Sequence, residues 1–164
     1  AGLYHYYGLQ KRLLDHKMFG VFEHQVLNRK IPLVRGFDDV FFAPHSRHTE
    51  VPLEEIYKVE ALTVLAVSEE AGLFLAMADN GRKIFVMGHP EYDRIMLDGE
   101  YKRDRSKNLP IDLPKNYYPN NDPENRPLLT WRAHGNNLYT NWLNYYVYQV
   151  TPYDLDGTPD FSHK

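Results

Sequence analysis

Two apolar stretches joined by a short turn are the feature of this sequence that most restricts its fold. Residues 73–77 and 84–87 are rich in large apolar side chains, and Asp79-Asn80-Gly81 lies between them. Asn and Gly tolerate the positive φ that a type I′ turn requires, so this pattern predicts a β-hairpin. The second stretch is apolar on both faces, which is typical of a buried central strand. It ends at residues 88–91, and α/β enzymes carry functional groups at strand ends.

The part of the chain before this hairpin predicts a helix, several short strands and a second helix. Residues 1 to about 9 are predicted to form a helix that ends near Gly8, followed by a polar loop over residues 11–17. Short strands are predicted from their β-branched and aromatic content at residues 21–26, 33–34, 40–42 and 62–67. A short helix is predicted to begin after Pro52, since proline is favoured in a first turn.

The C-terminal third is predicted to be helical on both sides of a proline-rich segment. Residues 93–106 have a helical pattern with Asp93 as a candidate N-cap, and residues 136–149 predict a mostly buried helix. Five of the 11 prolines fall within residues 108–127. Such a segment is either an ordered irregular loop or a flexible connector, and its aromatic side chains favour order.

The composition excludes several partners and several kinds of chemistry. The net charge is −3, and no run of Lys or Arg could follow a phosphate backbone, so nucleic acid is not a predicted partner. No stretch approaches the roughly 20 apolar residues of a membrane helix, so a soluble cytoplasmic protein is predicted. The chain has no cysteine, which excludes disulfides, thiolate-zinc sites and a thiol nucleophile from this segment.

The first residues predict that this segment is part of a longer protein. Ala1 is not an initiator Met, and the aromatic helix-like run begins at once without an N-cap residue. A natural start inside a buried element would be unusual, so a preceding segment is expected.

His89 and Glu91 are the strongest candidates for catalysis. On an extended segment, residues i and i+2 point to one side, so both side chains can face the same cleft. A carboxylate there can hydrogen-bond one imidazole nitrogen and leave the other free to accept a proton. The spacing alone also occurs by chance, so a structural histidine with satisfied hydrogen bonds is the alternative.

A second polar group lies at residues 45–50. His45, His48 and Glu50 could be metal ligands, but their spacing matches no established pattern and the Arg47 cation would repel a metal, so no metal site is predicted. The favoured interpretation is a polar wall of a substrate pocket, with Ser46 offering a hydroxyl and Arg47 a partner for a carboxylate. The alternative is a solvated turn with ordinary ion pairs.

Several longer motifs resemble one known family when they are taken together. They are Gly20-Val21-Phe22-Glu23-His24, Arg35-Gly36-Phe37-Asp38-Asp39, Ala43-Pro44-His45-Ser46-Arg47, Gly88-His89-Pro90-Glu91-Tyr92-Asp93 and Thr140-Asn141-Trp142-Leu143-Asn144-Tyr145-Tyr146-Val147-Tyr148-Gln149. In this order they resemble the homoserine O-acetyltransferase and O-succinyltransferase family of methionine biosynthesis. The resemblance implies that residues 1–155 are the C-terminal part of a single acyltransferase domain and that residues 156–164 are a polar tail.

The resemblance also implies a fold and an assembly. The fold would be an α/β class I glutamine-amidotransferase-like (flavodoxin-like) three-layer sandwich that lacks its N-terminal strands here, which leaves a parallel sheet unfinished. The protein would be a homodimer and would include an N-terminal half. A cysteine nucleophile would lie on a strand-to-helix turn shortly before Ala1, and residues 1–9 would form the helix behind it.

The roles that the resemblance implies fall on five residues. His89 would be the general base and Glu91 its orienting carboxylate, while Lys17, Ser46 and Arg103 would bind substrate. Acyl-CoA and L-homoserine would be the substrates, with no cofactor, in a ping-pong reaction through an acyl-cysteine. A lysine and an arginine suit the carboxylate of homoserine and that of a succinyl group.

This segment departs from the family's pattern because it contains no cysteine. Without a nucleophile the isolated chain is predicted to be inactive. Two alternatives are a truncated or noncatalytic paralogue acting as a partner subunit, and a related glutamine-amidotransferase-like enzyme. The second would leave the motifs at residues 35–38 and 140–149 unexplained. The residues present do not decide between acetyl and succinyl donors, and acetyl is favoured only because it is the commoner activity in the family.

Overall fold

A five-stranded sheet organises the computed structural model, which describes residues 1–149. All neighbouring strands are antiparallel and follow the order β2-β1-β3-β4-β5. The strands are β1 (Arg12–Val26), β2 (Val40–Glu50), β3 (Thr63–Ser68), β4 (Gly72–Ala78) and β5 (Lys83–Val86). The helices are α1 (Gly2–Tyr7), α2 (Leu53–Tyr57), α3 (Met96–Ser106) and α4 (Arg132–Trp142), and a π-helical turn at Leu143–Val147 continues α4. None of the helices within residues 1–149 is long and apolar enough to cross a bilayer.

The predicted hairpin is confirmed, with two corrections. Strands β4 and β5 pair from Leu75↔Val86 to Ala78↔Lys83. Asp79, Asn80 and Gly81 all have positive φ, at 52°, 53° and 88°, so the connection uses three left-handed residues where a type I′ turn uses two. Strand β5 is also at the edge of the described sheet, so the prediction of a central strand is wrong for residues 1–149. The outer edge of β5 has no strand beside it within residues 1–149.

The first two strands are longer than their sequence predicts. The polar loop expected at residues 11–17 is wrong, because β1 begins at Arg12 and pairs with the far end of β2. Strand β2 continues through Pro44 to Glu50, which an edge strand allows because an edge can lack a ladder N–H. Residues 33–34 form a buried 3₁₀ turn and not a strand.

Three hydrophobic clusters hold the helices on the sheet. The first packs α4 and the 3₁₀ turn at Pro32–Val34 on the sheet, through Leu33, Phe41, Phe74 and Leu138. The second packs α1 and α2 on β4 and β5, through Leu3, Ile56, Leu73 and Phe85. The third packs α3 and the proline-rich loop on β1, through Phe19, Leu97, Tyr117 and Trp131.

The helices after the hairpin differ from prediction at their ends. Helix α3 begins at Met96 with Ile95 as N-cap, so Asp93 is not the cap. Its carboxylate instead accepts a hydrogen bond from Arg132, at 2.7 Å. Helix α4 begins four residues earlier than predicted, at Arg132, and it is not mostly buried, since Trp142 at its end is 42% exposed. The predicted order of the proline-rich loop is confirmed, because the aromatic pair 117–118 within it is buried.

The α/β class of fold is confirmed, but the expected unfinished parallel sheet is not found in residues 1–149. Every strand pair there is antiparallel, and parallel pairing is limited to an isolated bridge between Gly20 and Lys115. For β3-β4 and β4-β5 the reason is the length of the connection. Short turns such as residues 79–82 can join only antiparallel strands, whereas parallel neighbours need a long crossover.

Candidate functional site

His89 lies just beyond the end of β5, where the chain crosses to β2. Its backbone N–H donates to the carbonyl of Pro44, at 2.8 Å, which fixes the segment beside β2. The Nδ1 atom of its imidazole lies 2.8 Å from Oε1 of Glu91. The i, i+2 spacing thus brings the two side chains together as the sequence predicted. With the Nδ1 proton directed at the carboxylate, Nε2 is left to accept a proton.

Tyr92 covers the face of the His89 ring. The two rings are stacked, with centroids 4.3 Å apart and planes inclined by 17°. The edges of the pair stay open, since the His89 side chain is 35% exposed and that of Glu91 is 51% exposed. The imidazole is therefore held by a hydrogen bond and a stacked ring, while part of it stays exposed to solvent.

Glu100 on α3 joins Tyr92 to two of the predicted substrate-binding residues. Its Oε1 accepts a hydrogen bond from the Tyr92 hydroxyl at 2.9 Å. Its Oε2 accepts from Lys17 Nζ at 3.1 Å and from Ser46 Oγ at 2.5 Å. Lys17 comes from β1 and Ser46 from β2, so one carboxylate gathers side chains from three elements of the fold.

Asp104, one turn along α3, connects the third predicted residue to the same group. Its Oδ2 lies 3.6 Å from Lys17 Nζ, and its Oδ1 accepts from Arg103 Nε at 2.6 Å. The Arg103 side chain is 54% exposed. Lys17 therefore bridges two carboxylates, while Arg103 presents a cation at the rim. We call the group formed by Lys17, Ser46, Glu100, Arg103 and Asp104 the polar cluster.

The polar cluster holds its carboxylates ionised. Burial alone would raise the pKa of Glu100, but hydrogen bonds from Ser46, Lys17 and Tyr92 outweigh it and keep that pKa below its usual value. The hydrogen bond from Arg103 likewise lowers the pKa of Asp104. Burial, together with the hydrogen bond to Glu100, raises the pKa of Tyr92 to about 12. Tyr92 is thus a neutral donor to an anion at neutral pH.

The polar wall predicted at residues 45–50 is only partly present. Ser46 joins the polar cluster, but the His45 side chain is fully buried and lies 3.0 Å from Nε2 of His24. Arg47 is used inside the fold, where it donates to the carbonyls of Thr49 and Ala71. Glu50 pairs with Arg12. The alternative of a solvated turn is also wrong, because these residues are in β2. Within residues 1–149 no three potential metal ligands converge.

The sequence interpretation missed Tyr92, Glu100 and Asp104. A signal for the two carboxylates was present, because residues four apart on a helix are neighbours and two like charges there are unfavourable. Such a pair implies a cation between them, which is the position that Lys17 occupies. Tyr92 carries no comparable signal, since an aromatic residue after Glu91 is equally compatible with core packing.

A large groove of the described chain lies away from His89. It has a volume of about 960 Å³ and contains none of the predicted site residues. Five glutamates line it, with Arg12 as the basic side chain among them. Such a surface repels the carboxylates and phosphates that a lysine and an arginine attract. The five glutamates therefore make this groove a poor site for an anionic ligand.

Helix α4 packs closely against the segment that contains His89 and Glu91, at Gly135. A Cβ atom on Gly135 would lie 2.6 Å from the carbonyl oxygen of Pro90, whereas nothing lies within 4 Å of the same position at Gly99 in α3. We expect Gly135→Ala to lower the free energy of unfolding by about 1–3 kcal/mol through overpacking. Gly99→Ala should raise it by roughly 0.5–1 kcal/mol through helix propensity. Urea unfolding of both variants tests this, and equal shifts would contradict the contact.

The fold and the site together define an α/β protein with a histidine–carboxylate pair beyond the end of a strand. Residues 1–153 match the family model described as homoserine O-succinyltransferase. The chain belongs to this family. It is the family that the sequence motifs implied.

Individual relatives are similar over most of this chain. It is 68% identical over 155 residues to a homoserine O-acetyltransferase of Lachnoclostridium phytofermentans, covering 94% of this chain and 52% of that protein. It is 66% identical over 155 residues to a homoserine O-acetyltransferase of Agathobacter rectalis, covering 94% and 50%. The chain thus spans about half the length of these curated relatives. The crystal structure of SMU.1228c shares the fold at 14% identity and a TM-score of 0.56, covering 82% of this chain and 55% of that one.

Proposed function

We propose that this chain supplies the base and the acceptor-binding side chains of a homoserine O-acyltransferase of methionine biosynthesis. The observation that carries the proposal is the His89–Glu91 contact, which leaves Nε2 free for proton transfer beside a cluster of charged side chains. Membership of the family, and relatives that are named homoserine O-acetyltransferases, support it. The proposed setting is the cytoplasm, with no cofactor, because acyl-CoA is a substrate.

In the proposed reaction, a cysteine supplied by another part of the protein forms an acyl-enzyme. His89 takes the thiol proton, the thiolate attacks the thioester carbonyl, and the CoA thiolate leaves with that proton. His89 then takes the proton of the homoserine hydroxyl as the hydroxyl oxygen attacks the acyl carbon, and the cysteine thiolate leaves and takes that proton back from His89. Glu91 holds the ring and stabilises the imidazolium in both steps.

The proposed acceptor site is the polar cluster. The Arg103 cation at the rim is suited to the homoserine carboxylate, and the Ser46 hydroxyl can exchange its bond to Glu100 for one to the substrate. Lys17 lies between two carboxylates and offsets their mutual repulsion. Substrate binding by Lys17, Ser46 and Arg103 is thus compatible with their positions, and it stays a proposal.

We place the remainder of the enzyme against the outer side of β5. Ile84 and Val86 of that strand line an apolar groove of about 350 Å³ together with Trp142, and β5 is an edge strand in residues 1–149. Exposed apolar edges are normally paired or covered. The matched relatives are about twice as long as this chain, so the part of them that it does not cover is the proposed partner, in a homodimeric enzyme.

A chimaera tests the proposed function. The part of the Lachnoclostridium phytofermentans relative that this chain does not cover is fused to it, and product is measured by mass spectrometry with homoserine and equal acetyl-CoA and succinyl-CoA. We expect acylated homoserine from the chimaera, with acetyl transfer favoured, and none from the 164-residue chain, which has no cysteine.

Each other outcome of this experiment has a definite meaning. Stable acylation of the isolated chain by acyl-CoA would contradict its predicted inactivity. A folded chimaera that contains the relative's cysteine but transfers no acyl group would favour the alternative of a noncatalytic partner subunit. Hydrolysis of glutamine in place of acyl transfer would favour the related amidotransferase-like enzyme.

A further inference from the structure

Tyr92 is the structural link between the histidine–carboxylate pair and the polar cluster. One face of its ring stacks on His89, with centroids 4.3 Å apart, and its hydroxyl donates to Glu100 at 2.9 Å. Glu100 in turn accepts hydrogen bonds from Lys17 and Ser46. No other described side chain contacts both His89 and Glu100 by a stacked ring or a hydrogen bond within residues 1–149.

We propose that Tyr92 is a positioning residue that fixes the imidazole of His89 and aligns it with the acceptor site around Glu100. The inference rests on the proposed function and deepens it. The hydrogen bond from Nδ1 to Glu91 restrains one edge of the ring but permits rotation about that bond. Stacking on Tyr92 removes this rotation, so Nε2 keeps one direction.

The two contacts of Tyr92 have separable effects. The ring also faces the imidazolium that forms when His89 takes a proton, and an aromatic face attracts such a cation. The hydroxyl contributes one of three hydrogen bonds to Glu100, and burial keeps that hydroxyl protonated. The ring of Tyr92 therefore orients His89 for proton transfer, whereas its hydroxyl holds Glu100 in place in the acceptor site.

Two substitutions in the chimaera separate these effects. Tyr92→Leu removes both contacts, and we expect kcat to fall roughly tenfold to a hundredfold because misalignment of a base is costly. Tyr92→Phe keeps the ring, so kcat should stay within about threefold of the parent while KM for homoserine rises several-fold. Tyr57→Leu is the matched control, because Tyr57 on α2 is 57% exposed. It should change neither constant.

A spectroscopic measurement tests the stacking without activity. Ring protons of His89, assigned by their loss in His89→Gln, should be shifted upfield by Tyr92, and Tyr92→Leu but not Tyr92→Phe should abolish the shift. Parent kcat in Tyr92→Leu, or an equal fall of kcat in both variants, would overturn the proposal. If the parent chimaera transfers no acyl group, the proposed function fails. The NMR shifts then decide on their own whether Tyr92 positions His89, and unchanged shifts in Tyr92→Leu overturn it.

Discussion

His89→Gln in the chimaera should lower kcat/KM for homoserine by roughly two to four orders of magnitude, the usual contribution of a general base. Glutamine has nearly the reach of histidine but cannot take a proton at neutral pH. The backbone hydrogen bond to Pro44 is independent of the side chain, so the segment should keep its place. The thermal midpoint is therefore expected to change little, and steady-state kinetics with a stability scan test both statements together.

The matched control is the same substitution at His48. His48 is exposed on β2, two residues from Ser46, so His48→Gln changes the chemistry of the surface near the site without touching the proposed base. It should leave kcat/KM within about twofold, as surface substitutions usually do. A comparable loss in both variants would show that His89 has no special role.

Glu91→Gln should have a smaller effect than His89→Gln. The amide can still accept a hydrogen bond from Nδ1, but it no longer stabilises the imidazolium by charge. We expect a loss of roughly tenfold to a thousandfold in kcat. An effect equal to that of His89→Gln would mean that the carboxylate is needed to hold the ring at all.

Local sequence signals were sufficient for the parts of the fold that depend on neighbouring residues. The hairpin after residue 78 follows from the left-handed tolerance of Asn80 and Gly81, and the contact of His89 with Glu91 follows from the alternation of an extended chain. Both features depend on residues only a few positions apart, so a short stretch of sequence is enough to predict them.

Long-range pairing explains what the sequence did not predict. Strand β1 begins as early as Arg12 because Arg12 and Leu13 pair with Glu50 and Thr49 of β2. The buried pair 33–34 is in a 3₁₀ turn because α4 packs over it. Glu100 becomes the centre of the polar cluster only when β1, β2 and α3 meet. No single window of sequence contains these partners.

His24 and His45 should make the fold sensitive to acid. Both side chains are fully buried, their Nε2 atoms are 3.0 Å apart, and their rings are stacked with centroids 5.0 Å apart. Burial lowers the pKa of His24 to about 4. Burial, with His24, Arg47 and His89 nearby, lowers the pKa of His45 to about 2. Both rings are therefore neutral in the folded protein at neutral pH.

The direction of the pH dependence follows from these pKa values. An unfolded histidine binds its proton near pH 6.5, while folded His24 binds one only near pH 4. Between these values the unfolded state holds more protons, so the free energy of unfolding falls as the pH falls. The difference at His24 corresponds to about 3 kcal/mol between pH 7 and pH 4.

His24→Phe isolates this contribution. The new ring suits the aromatic surroundings of Phe41 and Phe74, but His45 loses its hydrogen-bond partner, so we expect a loss of about 1–3 kcal/mol at pH 7. From pH 7 to pH 4 the variant should then lose about 3 kcal/mol less than the parent in urea unfolding. His16→Phe, at an exposed position of β1, is the control and should follow the parent curve. Parallel curves for His24→Phe and the parent would contradict the titration of His24 on unfolding.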